Sequence, residues 1–208
     1  MKINTAYVIN LERRKDRRES FEKTWKNISF NINHFDAIDR KNLKFDQVNY
    51  NNNDIFHNLG SIACSLSHIQ VLERAFYSNQ DNVLILEDDA VPCDNFEHLL
   101  QKVLEDLPEN YMLCYLGGTN MIEPEFITNN IAKVKNTKST VAYIINKQFI
   151  PTLISSAKNN ILSHAVDEVL VELQKKVELY ISTPRLIHQS AGYSDIVEQE
   201  VNYSWMKD

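Results

Sequence analysis

The run NVLILEDDA at residues 82–90 limits most strongly what this chain can fold into. Its four consecutive large aliphatic residues, Val83 to Leu86, leave no polar face, so a strand here must be covered on both sides. Strands of this kind are typical of a parallel sheet flanked by helices. Three carboxylates follow at once: Glu87, Asp88 and Asp89.

Strand-like and helix-like segments alternate along most of the chain. Apolar runs predict strands at residues 5–11, 32–38, 82–90, 112–116, 142–146 and 179–187. Helical periodicity predicts helices at residues 12–28, 61–77, 94–107, 147–158 and 166–174. We therefore expect an α/β sandwich on a mostly parallel central sheet.

Local signals sharpen some of these boundaries. Ser61 is a suitable N-cap for the helix that follows it. The strand at residues 112–116 is expected to end at Gly117 and Gly118, and residues 119–138 are polar and irregular. Residues 46–60 are rich in Asn and Asp, which predicts an exposed loop.

Composition narrows the class of protein. The 208 residues include 22 Lys and Arg against 28 Asp and Glu, with a net charge of −6. This balance predicts a single globular domain and argues against a nucleic-acid partner. No apolar run of about 18 residues and no secretory leader is recognisable, so we expect a cytoplasmic protein. Three widely spaced cysteines support neither a disulfide framework nor a zinc knuckle.

The charge is distributed unevenly. Residues 1–45 carry 11 basic and 6 acidic side chains, and the run ERRKDRR at residues 12–18 crowds the start of the first predicted helix. Cations are unfavourable beside the positive end of a helix, whereas an anion bound there is favourable. The run predicts either a nucleotide phosphate site or an exposed basic helix neutralised by its own acids.

The acidic triplet lies where open α/β sheets bind ligands, at the carboxyl end of a buried strand. Crowded carboxylates repel one another, and Mg²⁺ or Mn²⁺ relieves that repulsion while binding phosphate oxygens. The alternative is a strand that simply ends in solvated acids. His188 follows the last predicted strand and is a candidate further metal ligand. His68 is either a ligand contact or a structural histidine, and Asp167 is either a helix-capping acid or a general base.

Several motifs taken together resemble glycosyltransferase family 25. They are AYVINLERRKDRR, FDAID, LGSIACSLSHIQVLERA, VLILEDDA, YLGG, AYIIN, VDE and QSAGYSDI, in that order along most of the chain. The resemblance implies a GT-A-like nucleotide-sugar-binding fold in one domain over residues 1–208. In it, residues 1–118 mainly bind the sugar nucleotide and residues 119–208 mainly bind the acceptor.

The resemblance also implies roles for individual residues. Glu87 and Asp89 match the family's metal motif for Mn²⁺ or Mg²⁺, with Asp88 between them and His188 as a further ligand. The residues expected at the nucleotide or its ribose are Asn10, Arg13, Arg17, Asp36, Asp39, Ser67 and His68. Asp167 is the preferred general base, and Asp88 and His188 remain alternatives.

The function implied is an inverting transfer of galactose or glucose from a UDP-hexose to a lipooligosaccharide core, a glycolipid acceptor. Two alternatives stay open: an inactive sugar-nucleotide or glycan-binding protein on the same fold, and a phosphohydrolase or nucleotidyltransferase. The chain ends soon after Ser194, Asp195 and Ile196 without a basic tail. We therefore expect at most peripheral contact with the inner membrane, and the sequence gives no oligomeric state.

Overall fold

A computed structural model describes residues 1–44 and 58–202 of the chain. The loop predicted at residues 46–60 lies mostly outside the described residues. Within the described part no helix combines the length and the apolar character needed to cross a membrane.

The first half of the chain follows the predicted alternation. Its elements are β1 (Thr5–Asn10), α1 (Lys15–Thr24), β2 (Asn31–Asp36), a 3-10 turn (Arg40–Asn42), α2 (Leu59–Phe76), β3 (Asn82–Glu87), β4 (Ala90–Pro92) and α3 (Phe96–Asp106).

The second half contains more strands than predicted. Its elements are β5 (Leu113–Asn120), β6 (Glu125–Phe126), β7 (Ile131–Lys133), β8 (Thr137–Asn146), α4 (Ile150–Asn160), α5 (Val166–Gln174), β9 (Tyr180–Ser182), β10 (Ile187–Gln189), β11 (Gly192–Ser194) and β12 (Gln199–Val201). The segment predicted as irregular, residues 119–138, holds β6 and β7.

Eight strands form the central sheet in the order β2-β1-β3-β8-β5-β9-β7-β6. The pairs β2-β1, β1-β3 and β5-β9 are parallel, whereas β8 and β7 run antiparallel to their neighbours. Most strands of the described sheet therefore point one way, which confirms the α/β class. Two short pairs, β4 with β10 and β11 with β12, lie outside this sheet.

Side chains of the sheet alternate between two apolar layers. Ala6 and Val8 of β1 pack in one cluster with Phe21 of α1 and with α3. Tyr7 and Ile9 pack in a second cluster, which includes residues of α2, α4 and α5. The molecule is a three-layer sandwich, and its central strands are buried on both faces as their composition predicts.

Several predicted boundaries are wrong, and two of them have a clear physical reason. The N-cap of α2 is Asn58, whose side-chain Oδ1 accepts hydrogen bonds from Gly60 N and Ser61 N, while Ser61 Oγ accepts one from Asn58 N. Ser61 is the third helical residue of this capping box, because an equally good cap lies three residues earlier.

Strand β5 does not end at the two glycines but runs through them to Asn120. A Cβ atom on Gly117 would lie 2.4 Å from the carbonyl oxygen of Ile187. Glycine here permits close approach of β10, whose first residue is Ile187, and it does not terminate the strand.

The first three strands create a crevice. From β1 the chain crosses to β2 on one side, and it returns through α2 to β3 on the other side. Because β2 and β3 lie on opposite sides of β1, the connections β1–α1–β2 and β2–α2–β3 run in opposite directions across the sheet, and the carboxyl ends of β1 and β3 border an opening. Ligands bind at such a switch point in open α/β sheets.

Candidate functional site

A cavity of about 110 Å³ lies at this switch point. It is bordered by the start of α1, the segment after β2, one side of α2 and the residues that follow β3 and β10. The three acids Glu87, Asp88 and Asp89 all line it, and we call them the acid tip. The structure thus places the predicted acidic motif in a cavity and not at an open surface.

Asp88 is held by two polar side chains. Asn10, the last residue of β1, donates from Nδ2 to Asp88 Oδ2 at 2.7 Å, and Arg17 Nη1 lies 2.5 Å from Asp88 Oδ1. Burial raises the pKa of Asp88 above its ordinary value, although Arg17 and Asn10 oppose that rise. Asn10 and Arg17 therefore lie beside the acid tip, and their contact with a nucleotide stays a prediction.

Asp89 has one oxygen satisfied and one without a partner. Gln189 Nε2 donates to Asp89 Oδ2 at 2.9 Å, and Arg17 Nη1 lies 3.6 Å from the same oxygen. Asp89 Oδ1 is buried and has no hydrogen-bond partner. Burial, followed by the charges of Glu87 and Asp88, raises the pKa of Asp89 to about 7. An unpartnered buried carboxylate oxygen of this kind is suited to a hard divalent cation.

Glu87 is fixed from the opposite side. Thr140 Oγ1 of β8 donates to Glu87 Oε1 at 2.7 Å, and His68 Nε2 lies 3.4 Å from the same oxygen. Burial would raise the pKa of Glu87, but His68, Thr140 and Arg17 together hold it below the ordinary value. Glu87 is therefore an ionised member of the acid tip.

Ser67 and His68 of α2 have different positions. Ser67 Oγ donates to Ala63 O at 2.7 Å and accepts from Ile38 N at 2.9 Å, so it ties the helix to the segment after β2. His68 is fully buried, and its Nδ1 lies 2.9 Å from the Tyr143 hydroxyl. His68 contacts the acid tip directly, whereas Ser67 supports the cavity wall.

The basic run is bound by carboxylates. Arg13 pairs with Asp39 at 2.6 Å and with Asp195 at 2.7 Å, and Arg14 pairs with Asp195 at 2.5 Å. Burial would raise the pKa of Asp195, but these arginines lower it overall. Helix α1 begins at Lys15, so Arg13 and Arg14 precede it. The anions that pair with the run are therefore the chain's own carboxylates, and the nucleotide phosphate site stays a prediction.

Four predicted residues lie outside the cavity lining: Asn10, which still contacts Asp88, and Asp36, His188 and Asp167. Asp36 ends β2 and is exposed. His188 lies in β10, but it is the next residue, Gln189, that reaches Asp89. Asp167 lies in the first turn of α5 and accepts from Ser139 N at 3.4 Å and from Glu168 N at 2.9 Å. Burial raises the pKa of Asp167.

Although Asp167 does not line the cavity, its charge acts on a residue that does. Burial, and then the charges of Glu87 and Asp167, hold the pKa of the Cys64 thiol well above its usual value. Cys64 lines the cavity. The negative charge of Asp167 therefore acts on a group in the cavity wall.

Sequence reasoning missed four residues of the site: Cys64, Thr140, Gln189 and Asp195. Three of these had a signal in the sequence. Cys64 lies four residues before His68, a spacing that places both on one helical face, and Gln189 and Asp195 both lie within the quoted QSAGYSDI motif. Thr140 had none, because its contact depends on how distant strands pair.

The sequence of the chain is similar to that of known proteins. A family model described as glycosyltransferase family 25 (LPS biosynthesis protein) matches residues 3–170. A glycosyltransferase 25 family member of Anopheles gambiae is 37% identical over 139 residues, covering 60% of this chain and 23% of that protein. Procollagen galactosyltransferase 2 of Homo sapiens is 27% identical over 179 residues, covering 75% of this chain and 28% of that protein.

A solved structure also resembles the fold. The apo form of the glycosyltransferase GlyE of Streptococcus pneumoniae TIGR4 aligns with a TM-score of 0.50 at 12% identity, over 86% of this chain and 45% of that one. The fold is therefore GT-A-like. The chain spans about a quarter of the length of the curated relatives it matches.

Proposed function

The chain belongs to glycosyltransferase family 25, and from this premise we propose that it transfers a hexose, galactose or glucose, from a UDP-sugar to the oligosaccharide core of a lipooligosaccharide. The acceptor proposal is supported by the description of the family as one of LPS biosynthesis. Galactose is supported by the name of the human relative, a galactosyltransferase.

One observation carries this proposal: the acid tip ends a buried strand at the switch point and presents Asp89 Oδ1 without a partner. Solvated surface acids do not leave a carboxylate oxygen buried and unpaired. A site that binds a cation together with a phosphate ester explains both the unpaired oxygen and the arginines that surround it.

The residues fit a divalent cation. Glu87 and Asp89 would hold Mn²⁺ or Mg²⁺ through carboxylate oxygens, the ligands these ions prefer. When bound, the ion would supply positive charge to the donor diphosphate and so stabilise the UDP leaving group. The third ligand expected from the sequence, His188, lies outside the cavity lining, so the fit to the cation rests on Glu87 and Asp89.

The chain's own residues would bind and orient the nucleotide. Arg13 and Arg17 line the cavity beside the acid tip and offer planar guanidinium donors that match phosphate geometry. Asn10 and Asp39 lie with them at the carboxyl ends of the first two strands. Asp36, the last residue of β2, is proposed for the same role.

We further propose that the transfer inverts the anomeric configuration, with Asp167 as general base. An inverting displacement needs a group that accepts the proton of the acceptor hydroxyl as the hydroxyl oxygen attacks the anomeric carbon. The raised pKa of half-buried Asp167 supports this choice, since a base is most effective when its pKa approaches the working pH. Asp88 is the alternative, although Arg17 and Asn10 already occupy both of its oxygens.

The experiment is a transfer assay with a panel of UDP-hexoses, Mn²⁺ or Mg²⁺, and lipooligosaccharide core acceptors. Mass analysis identifies the transferred sugar, and NMR of the product gives its anomeric configuration. We expect one UDP-hexose to be consumed with release of UDP, and Asp89→Asn to abolish the metal dependence and nearly all turnover. The matched control is Asp94→Asn, because Asp94 is exposed and lies outside the cavity.

Other outcomes identify the alternatives. Metal-dependent protection by a UDP-sugar against thermal unfolding, without transfer to any acceptor, would indicate a binding protein on this fold. Release of phosphate or pyrophosphate in place of UDP would indicate a phosphohydrolase or nucleotidyltransferase. Retention of configuration in the product would contradict the inverting mechanism alone.

A further inference from the structure

Three chemically different side chains meet at the wall of the cavity. Cys64 and His68 lie four residues apart on α2, and both face Glu87 at the end of β3. The cysteine sulfur, a ring nitrogen of the histidine and a carboxylate oxygen all lie within 4.8 Å of one another. The spacing of four residues places both helix side chains on the same face, as in helical metal-binding pairs.

The imidazole of His68 has a buried atom without a partner. His68 is fully buried, and its Nε2 forms no hydrogen bond. The contact of Nε2 with Glu87 Oε1, at 3.4 Å, lacks hydrogen-bond geometry. Nδ1 lies 2.9 Å from the Tyr143 hydroxyl, which can accept the Nδ1 proton. In the tautomer with its proton on Nδ1, Nε2 presents a lone pair, and a cation held between Nε2, the carboxylate and the sulfur satisfies all three. Without a cation, a proton on Nε2 faces Glu87, which agrees with the lowered pKa of Glu87.

The donor set distinguishes this position from an oxygen-only site. Thiolate, imidazole and carboxylate are the three ligand types of zinc, whereas Mg²⁺ prefers oxygen alone. Zinc lies about 2.0–2.3 Å from such ligands, so the ligand atoms of a tetrahedral site are roughly 3.3–3.8 Å apart. The pair Nε2 and Oε1 already has this spacing at 3.4 Å.

Further contacts hold two of these ligands in place. Tyr143 fixes one ring nitrogen of His68, and Thr140 donates to Glu87. Ligating histidines and carboxylates commonly have such supporting hydrogen bonds, which set the tautomer and the orientation. All three ligand residues line the cavity, which gives an ion a route of entry and room for a water as fourth ligand.

We propose that Cys64, His68 and Glu87 form a zinc site in the cavity wall. It differs from the proposed Mn²⁺ or Mg²⁺ site, which Glu87 would form with Asp89. Because Glu87 belongs to both sets, zinc bound here withdraws Glu87 from Mn²⁺ or Mg²⁺. The zinc site itself does not depend on the proposed function.

The test is zinc binding to the full chain freed of metal by chelation, measured by competition with a chromogenic chelator and without any sugar nucleotide. We expect one zinc per chain, with the affinity reduced at least about tenfold in both Cys64→Ser and His68→Asn. Cys93→Ser is the matched control, since Cys93 is a partly buried free cysteine outside the cavity lining. Wild-type affinity in Cys64→Ser, or a folded wild-type chain that binds no zinc, would overturn the proposal.

A second measurement applies if the variants fail to fold. Cobalt substituted into the wild-type chain should show a near-ultraviolet thiolate charge-transfer band, which requires a sulfur ligand. A cobalt-bound chain without this band would exclude Cys64 as a ligand. Since neither measurement uses a donor or an acceptor, failure of glycosyl transfer and failure of zinc binding are separate results.

Discussion

Arg17 Nη1 lies 2.5 Å from Asp88 Oδ1 and thereby joins the first helix to the acid tip. The same guanidinium lies 3.6 Å from Asp89 Oδ2 and donates from Nη2 to the carbonyl oxygen of Tyr193 at 2.9 Å. Three segments far apart in the chain therefore meet on one arginine. Arg17 offsets part of the mutual repulsion of the acids.

Replacing Arg17 with Ala should destabilise the fold. Asp88 would lose its charged partner while remaining largely buried, and we expect a loss of about 1–3 kcal/mol in the free energy of unfolding. Chemical denaturation measures this loss. The control is Arg18→Ala, whose exposed pair with Glu22 should contribute less than about 1 kcal/mol.

A double variant separates charge from packing in the same experiment. Combining Arg17→Ala with Asp88→Asn removes both charges, so the double variant should be less destabilised than the sum of the single ones. Strict additivity would show that the two side chains do not interact energetically.

Trp25 holds the backbone of the residue that follows the acid tip, Ala90. Its indole Nε1 donates to Ala90 O at 2.9 Å in a buried position, and its ring stacks on Phe21 at 5.4 Å. Trp25→Phe keeps an aromatic ring but leaves Ala90 O without this donor, so we expect about 1–3 kcal/mol of destabilisation by chemical denaturation. Phe21→Leu is the comparison, because it changes apolar packing without removing a hydrogen bond. A Trp25→Phe variant as stable as the wild type would show that the bond contributes nothing.

The sequence predicted those parts of the fold that depend on local pattern. Helix α5 was predicted with its observed bounds, and β3 was found from its four aliphatic residues, because burial on both faces leaves a signal within the segment itself. The helical periodicity that predicted a helix at residues 12–28 likewise reflects the burial of Phe21 and Trp25. Such features need no knowledge of the pairing partner.

Features set by distant partners could not be predicted. The antiparallel insertion of β8 between β3 and β5 is a property of pairing, and an apolar strand looks the same in either direction. The contact of His68 with Glu87 depends on how α2 packs over β3, and the contact of Gln189 with Asp89 depends on β10 pairing with β4. The acid tip was therefore named from the sequence together with three side chains that contact it, Asn10, Arg17 and His68, whereas Thr140 and Gln189 were not.

Asp195 should make the stability depend on pH in the acid range. Its pKa in the folded chain is lower than in the unfolded chain, because Arg13 and Arg14 outweigh its burial. A carboxyl of this kind stabilises the fold above its unfolded pKa of about 3.9, and the contribution is lost as the pH falls through the folded value. Asp195→Asn should thus be less stable than the wild type at pH 7, with the difference shrinking below about pH 4.

Urea denaturation at several pH values between about 3 and 7 tests this prediction. Asp94→Asn is the control, because the Asp94 side chain is exposed. A stability difference between wild type and Asp195→Asn that stays constant from pH 7 to pH 3 would contradict the assigned origin.

The Asp195 carboxylate also lines the cavity. Ser194, Asp195 and Ile196 line it, and its volume of about 110 Å³ is below the roughly 300 Å³ of typical ligand sites. On the proposed function, this segment must move before a sugar nucleotide enters. Asp195→Asn removes both ion pairs that hold it, so we expect UDP to associate about two to ten times faster in stopped-flow measurements. An unchanged association rate would show that these ion pairs do not control entry.

Asp167 offers the sharpest test of the proposed mechanism. Asp167→Asn retains the size of the side chain and an oxygen that can accept from Ser139 N, but it cannot take a proton. If Asp167 is the general base, turnover should fall by about 10² or more while the affinity for the UDP-sugar changes little. Glu172→Gln, an exposed change on the same helix, serves as the control for helix stability. Single-turnover kinetics together with donor titration separate the two quantities, and near-normal turnover in Asp167→Asn would transfer the role of base to Asp88 or His188.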